Sequence, residues 1–521
     1  MWVPLTPLDF YRRSRRLFPE KRGVVDQERR LSFRSFGDRV ERLAGALRAM
    51  GLRPKDPVSM LTFNTHHLLE GFYGVPLAGG VINPVNPRLA PLEIAQLLND
   101  AGSKILCFHG ELTPVVRHIL GNLKVVERFV ILEGDPRTLD FPAVEYEVLL
   151  ERARPYAPDL TGLDEDAPLA LFYTSGEVAE PRGVLLSHRT LALHALYAVI
   201  AVGLREEDVS LCSVPFFYMN GGGNPQMNPA LAATSVLARR SDPDTLLPLI
   251  QEERVTVWIT APTALGRLLR SSSLDHFDLS SLRVILVGGA PISEAMIQEA
   301  EERLGAQCVQ VYGLTETSPF VASAFPKHGI PAGERRGYQA TAGLPILGVE
   351  VEVVDETGRE VPPDGEAVGE ILVRGNGVMT GYSRNPEATQ EALLGGWLHT
   401  GDLATVDREG YLTIRGRKKD VILVSGMSVS AKEIEAVLAS HPDVLQCSVI
   451  AAPDPKWGEA PVGLVVLRGG ARVTERELID YARERLTWFK VPRSIQYLDS
   501  FPMTEAGEVL KSELRTLYAN P

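Results

Sequence analysis

The chain has only four cysteines in 521 residues, Cys107, Cys212, Cys308 and Cys447, and no two of them form a CxxC pair. That spacing excludes a disulfide framework and a cysteine-based zinc site, and it fits a reducing cytoplasm. No uninterrupted apolar run reaches the ~18 residues a membrane span needs, so none is expected. The first twenty residues, MWVPLTPLDFYRRSRRLFPE, place arginines after a short apolar stretch and lack a small-residue cleavage site, so they do not read as a signal peptide. Positive charge is also short: the formal net charge is −12, which argues against a nucleic-acid binder driven by phosphate neutralisation. Solenoid repeats and low-complexity tracts are absent.

What remains is a globular composition, 45% hydrophobic and 23% charged, on a chain too long for one core. Up to about residue 165 helical and strand-like patterns alternate. FRSFGDRVERLAGALRAMGL, from Phe33, carries apolar residues at helical spacing and ends with Gly51 as a C-cap, and PVSMLTF after it reads as a buried strand. His66 and His67 open the next helical stretch; a metal role is conceivable, but with no partner cluster in sequence the favoured reading is ordinary polar helix-start residues. Between about 165 and 345 the runs LALFYTS, VSLCSVP, TVWIT, VILVGG and CVQVYG are β-rich and separated by helix-like stretches. This alternation predicts an α/β fold of helix-covered parallel sheets, with ligands outside the carboxyl ends of the strands. From about 345 to 415, VEVEVVDETGREV, GEILVRG and GYLTIRG predict short antiparallel strands in a small barrel or sheet. A smaller α+β region follows, with helices near 430–439 and 475–487. The domain boundary is placed near Arg417 to Asp420, giving domains 1–417 and 418–521.

YTSGEVAEPRGVLLSH (173–188) follows a strand and precedes a helix, an arrangement that can cradle phosphates with backbone amides. Alone, it reads equally as a structural turn. It is followed in order by YGLTET (312–317), GEI (369–371), GYSRNPEAT (381–389), GGWLHTGD (395–402), GYLTIRGRKKD (410–420) and PMTEAGEVLKSEL (502–514). In this ordered set the chain resembles the AMP-forming adenylate ligase superfamily of acyl-CoA synthetases, luciferases and adenylation domains, over essentially its whole length. Fatty or medium-chain acyl-CoA synthetases are the members it most resembles.

The resemblance implies activation of a small-molecule carboxylic acid with ATP to an acyl-adenylate, then transfer to coenzyme A. ATP/AMP, Mg²⁺ and CoA are the implied cofactors, nucleic acid is not a partner, and a homodimer is expected. A luciferase-like oxygenase or a peptide-synthetase module is less favoured, since no carrier domain follows. Asp402 looks like the carboxylate that accepts both ribose hydroxyls, and Arg417 like the arginine completing that grip. Thr315 resembles the hydroxyl on the α-phosphate and Glu316 the magnesium ligand. Tyr312 and Gly313, with Gln310 before them, face Gly289, Ala290 and Pro291 of VGGAP across the implied purine slot, although VGGAP alone also reads as a plain turn. Thr174, Ser175, Gly176 and Arg182 belong to the phosphate loop. Lys419 resembles the hinge of a small mobile C-terminal domain, with Ser425 and Gly426 turning toward CoA; a simple linker turn is the alternative. For the acyl site, SVPFFYMNGGGNPQ (213–226) aligns with segments often reading PMFHxNGW, and VTVWITAPTAL (255–265) is a second wall. Tyr218 stands where histidine is usual, Asn220 is kept, and Gly222 replaces a bulky aromatic, which would open the pocket.

Two motifs depart from the pattern. Relatives read TSGTTGxPKG where this chain reads TSGEVAEPRG, so Glu177, Val178, Ala179 and Arg182 are changed. Glu508 stands where relatives carry the lysine that stabilises charge on the α-phosphate, and Lys511 is the only nearby candidate to substitute for it. The AMP-facing residues are kept while the pyrophosphate-facing ones are altered. The expectation is a ligase with a weakened ATP half-reaction or, as the alternative, an adenylation-impaired homologue that binds AMP, acyl-adenylate or acyl-CoA as a regulator or partner.

Overall fold

The computed structural model describes residues 3–174, 182–424, 427–454, 457–486, 488–503 and 509–518. Backbone contacts divide the chain into two units, Met1–Glu350 with Val373–Leu398, and Val351–Leu372 with His399–Pro521.

Helix Phe33–Ala49 illustrates how local sequence sets an element. The Ser32 hydroxyl caps it by accepting from the Ser35 amide, and Phe33, Phe36, Val40, Leu43 and Leu47 form one buried stripe. The helix stops at Met50, and Gly51 follows at φ +90°, a conformation glycine takes without a Cβ penalty.

In the first unit, a nine-stranded sheet has a parallel centre. Arg22–Asp26, Thr234–Leu237, Val209–Cys212, Val257–Thr260, Val284–Val287 and Gln307–Gly313 lie side by side in that order. Val284–Val287 is buried at every residue, as a strand covered on both faces requires. Trp258, fully buried on the neighbouring strand, packs in a core with Leu211, Leu265 and Ile285. In the eight-stranded sheet, Pro168–Thr174, Val81–Val85, Pro57–Leu61, Ile105–Phe108, Arg128–Ile131 and Val144–Glu145 run parallel. Pro168–Thr174 also pairs antiparallel with Arg182–Ser187, which Gly381–Tyr382 extends. The strands expected in both stretches are therefore present, with helices between them.

The short-strand region, largely in the second unit, forms a four-stranded sheet ordered Val349–Val354, Gly369–Gly375, Leu398–Val406 and Leu412–Arg417. The rest of that unit is a five-stranded sheet carrying Ala431–Ala439 and Glu475–Arg483, close to the helices expected there. Thr474 and Glu477 cap the second helix reciprocally. Among the described residues, no helix is long and apolar enough to cross a membrane.

Two histidines in the first unit are buried as neutral rings. His188 sits against the Thr6 hydroxyl, and His194 Nε2 accepts the Phe320 amide at 2.9 Å. Burial lowers His188 to about 4 and His194 to about 3. The unfolded chain therefore takes up protons below about pH 6.5 that the folded chain refuses, and stability falls with acidification. Each histidine contributes a slope of about 1.4 kcal/mol per pH unit between ~6.5 and its folded value. Denaturant titrations at pH 7 and pH 5 are expected to show this loss, and His194→Gln to make it shallower.

Candidate active site

Several implicated residues of the first unit lie at carboxyl ends of parallel strands. Val284–Val287 runs directly into Gly288–Pro291, with Gly289 at φ +92°. Gln310, buried on the next strand, ties this loop down by accepting the Ile292 amide on Oε1 at 2.9 Å. The same strand ends at Tyr312 and Gly313. A Cβ on Gly313 would lie 1.4 Å from the Pro319 carbonyl oxygen, so only glycine lets the backbone fold back here. Thr315 and Glu316 follow in the short turn Thr315–Thr317.

The Glu316 carboxylate is held by Tyr382, whose hydroxyl donates to Oε1 at 3.0 Å. Burial, followed by the nearby Glu316 charge, raises the Tyr382 phenol above its usual range, so it remains a donor. The Arg182 guanidinium stands over the Tyr382 ring, 5.5 Å from its centroid. Arg182 pairs with Thr174 across the hairpin. The phosphate-loop residues thus connect through Tyr382 to Glu316. Tyr382 belongs to GYSRNPEAT, but its partner lies 66 positions away, and nothing in the sequence pairs the two. Ser175, Gly176 and the altered Glu177 and Val178 lie outside the described residues, as do Ser425, Gly426 and Glu508. The Lys419 side chain is also outside them; its backbone lies in the turn Lys418–Asp420, between strands Leu412–Arg417 and Val421–Val424.

The acyl segment Ser213–Phe217 leaves the strand Val209–Cys212 and is pinned by Asn64. Asn64 Nδ2 donates to the carbonyls of Cys212 and Val214 at 3.0 and 2.9 Å, and its Oδ1 accepts the Phe216 amide at 2.8 Å. Trp258 donates its indole N–H to the Ser213 hydroxyl at 2.8 Å. Sequence reading missed Asn64, because its partners are about 150 residues away. The Tyr218 hydroxyl accepts from Asn86 at 3.1 Å. The Asn220 amide lies against Gly288 and Gly289, near enough to touch a Cβ built on either, and so brings the acyl segment to the VGGAP loop. Gly222 corrects an expectation. A Cβ there would lie 2.8 Å from the ring of buried Phe172, so the space left by the missing aromatic is already filled and no pocket opens.

In the second unit Asp402 and Arg417 face each other as direct ladder partners on Leu398–Val406 and Leu412–Arg417. Arg417 Nε donates to Asp402 Oδ1 at 3.0 Å, and the Asp402 side chain is only 7% exposed. The segment before Asp402 is fixed by Glu370, which accepts the Gly401 amide at 3.1 Å and Lys418 Nζ at 3.0 Å. Burial raises the Glu370 carboxyl, but Lys418 and the Gly401 amide outweigh it and hold the group below its usual range. Lys432 stands within electrostatic reach of Asp402, Glu435, Lys511 and Arg417; burial, the dominant influence, lowers its amine. Neither Glu370 nor Lys432 was singled out by the sequence, although Glu370 sits inside the GEI motif. Lys511 is already engaged: its amine lies 2.7 Å from Glu435 and donates to the Val449 carbonyl at 3.2 Å.

Parallel strands ending in glycine-rich loops in the first unit, and in the second a buried carboxylate paired with a half-exposed guanidinium, are features suited to an α/β protein that handles nucleotides. The chain belongs to the AMP-binding enzyme family, which matches residues 11–383, while the family's C-terminal domain matches residues 433–508. It is 38% identical to a long-chain-fatty-acid–CoA ligase of Thermus thermophilus over 98% of this chain and 95% of that one. It is 34% identical to a peroxisomal benzoate–CoA ligase of Arabidopsis thaliana over 99% and 93%. Among solved structures it resembles ATP-bound MatB from Rhodopseudomonas palustris, with a TM-score of 0.87, 27% identity, and 98% and 99% of the two chains covered.

Proposed function

We propose that the chain is an AMP-forming acyl-CoA ligase acting on a fatty or other apolar carboxylic acid, with ATP, Mg²⁺ and CoA as co-substrates and cofactor. The observation that carries this reading is the Asp402–Arg417 pair, a buried carboxylate whose orientation is fixed by a 3.0 Å bond and which suits two vicinal ribose hydroxyls. In the first step a substrate carboxylate oxygen attacks the α-phosphorus and pyrophosphate leaves. In the second the CoA thiolate attacks the acyl carbonyl and AMP leaves. Thr315 contacts the α-phosphate, and the purine lies along Gly289–Pro291, Gln310, Tyr312 and Gly313. Glu316 offers a hard oxygen donor that Tyr382 keeps in place and that would hold Mg²⁺. Mg²⁺ bound there would offset charge on the leaving pyrophosphate. Tyr218 and Asn220 border the acyl group. Lys419 is the hinge between domains 1–417 and 418–521, with Ser425 and Gly426 toward CoA. A reducing cytoplasm and a homodimer complete the proposal.

Glu177 and Glu508 favour a second reading, in which adenylation is slow and ligand binding is the retained property. An AMP-release assay across acids of increasing length, with and without CoA, tests the main reading. CoA-dependent AMP release with an apolar acid supports it. AMP binding without turnover on any acid shifts the assignment to the binding homologue.

A further inference from the structure

His66 and His67, read from sequence as helix-start residues without partners, acquire them in three dimensions. Both rings are buried, at 3% and 1% exposure. Asp26, on the nine-stranded sheet, accepts the His66 amide at 2.9 Å, and its Oδ2 lies 2.6 Å from His66 Nδ1. That contact occupies Nδ1, while Nε2 is buried without a hydrogen-bond partner and is the ring nitrogen left to offer a lone pair once a cation displaces any proton on it. His67 Nδ1 is also buried without a partner, and it lies 3.8 Å from Glu133 Oε1. Glu147 Oε1 stands 3.9 Å from His66 Nε2. One ligand atom each from His66, His67 and Glu133 falls within 4.8 Å of the others.

The surrounding charge has the matching sign. Asp26, Glu70, Glu133 and Glu147 share two guanidiniums, Arg39 and Arg239, while Arg29 reaches Glu147 from a more exposed position at 3.4 Å. With the imidazoles neutral, the cluster keeps a net negative charge that a dication offsets. Glu133 and Glu147 are each about a third exposed, which gives an ion a path inward.

We propose that His66 Nε2, His67 Nδ1 and Glu133 form a site for a divalent transition cation of the Zn²⁺ class, separate from the nucleotide residues, with Asp26 orienting His66 from behind. Two imidazoles and one carboxylate suit Zn²⁺ or Co²⁺ and not Mg²⁺, and an outer carboxylate on the far ring nitrogen is the usual support of such a ligand. Glu133 Oε1 accepts Arg239 at 2.7 Å and Oε2 lies 3.1 Å from His109, so ligation through Oε1 uses the second lone pair of that oxygen. The cluster gathers the end of strand Arg22–Asp26, the start of helix His66–Leu77, and the loops after strands Arg128–Ile131 and Thr234–Leu237, which carry Glu133 and Arg239.

The test uses the full chain, stripped with a chelator and titrated with Co²⁺ alone, without nucleotide or Mg²⁺. One equivalent is expected to bind, with ligand-field absorption and a raised Tm. Asp26→Asn is expected to weaken Co²⁺ binding by about 10–100-fold, and His67→Gln to abolish stoichiometric binding. Absent binding, or affinity unchanged in either variant, overturns the proposal. Should His67→Gln fail to fold, X-ray absorption of the Co²⁺-loaded parent chain decides: two imidazoles per cobalt support the site, and fewer overturn it.

Discussion

Glu508→Lys, combined with restoration of the hydroxyl and glycine positions at 177–179, is expected to raise ATP–pyrophosphate exchange by about 10²–10³ while leaving AMP affinity unchanged. The reasoning is electrostatic. Adenylation gathers negative charge on the α-phosphate and on departing pyrophosphate, and a carboxylate near that charge opposes it where an ammonium would stabilise it. In the phosphate-loop role that the family resemblance implies, Glu177 and Glu180 would add to the same opposition. Lys511 is the cation nearest to Glu508 in sequence, but its amine is bonded to Glu435 and the Val449 carbonyl. Reassigning it would break an ion pair and leave Glu435 beside Lys432 alone. Exchange measured on the parent and the restored variant checks the expectation. A parent rate normal for such ligases, or a restored variant no faster than the parent, counts against it.

Asp402→Ala is expected to reduce kcat/KM for ATP by about 10²–10⁴, with AMP binding weakened to match. In the proposed ribose role the variant loses two charge-assisted hydrogen bonds, each worth about 1.5–3 kcal/mol. The loss is compounded within the second unit. Asp402 is the carboxylate against which Arg417 is aligned, and removing it deletes one of the carboxylates that offset Arg417, Lys432 and Lys511. Asp402→Asn, which keeps the shape and one acceptor, is expected to fall between the parent and Asp402→Ala. Isothermal titration with AMP separates binding from turnover, and circular dichroism confirms that the variants are folded. Parent-like AMP affinity in Asp402→Ala would remove Asp402 from the ribose role.

The elements that sequence made legible are those whose cause is local. Helix Phe33–Ala49 follows from a cap and a periodic stripe, and Val284–Val287 from an unbroken apolar run rich in β-branched residues. The order of motifs identified the family for the same reason, since each motif is a short contiguous string. What escaped depends on pairing across long separations. Asn64 holds the Ser213–Phe217 segment about 150 residues away, Tyr382 holds Glu316 across 66 residues, and Glu133, in the loop after strand Arg128–Ile131, joins His66 and His67 at a helix start. No periodicity marks such partners. Gly222 failed for a related reason: the missing side chain was visible in sequence, but the ring occupying its volume was not.

That occupied volume constrains how the acyl-binding segment can diverge. A larger residue at 222 meets Phe172 at once, whereas trimming Phe172 first leaves a void beneath a glycine. Neither single change is favourable, yet the pair together restores packing with the bulk relocated. Positions 172 and 222 therefore form an epistatic couple. Libraries that vary one position at a time will miss the altered selectivities that joint randomisation can reach.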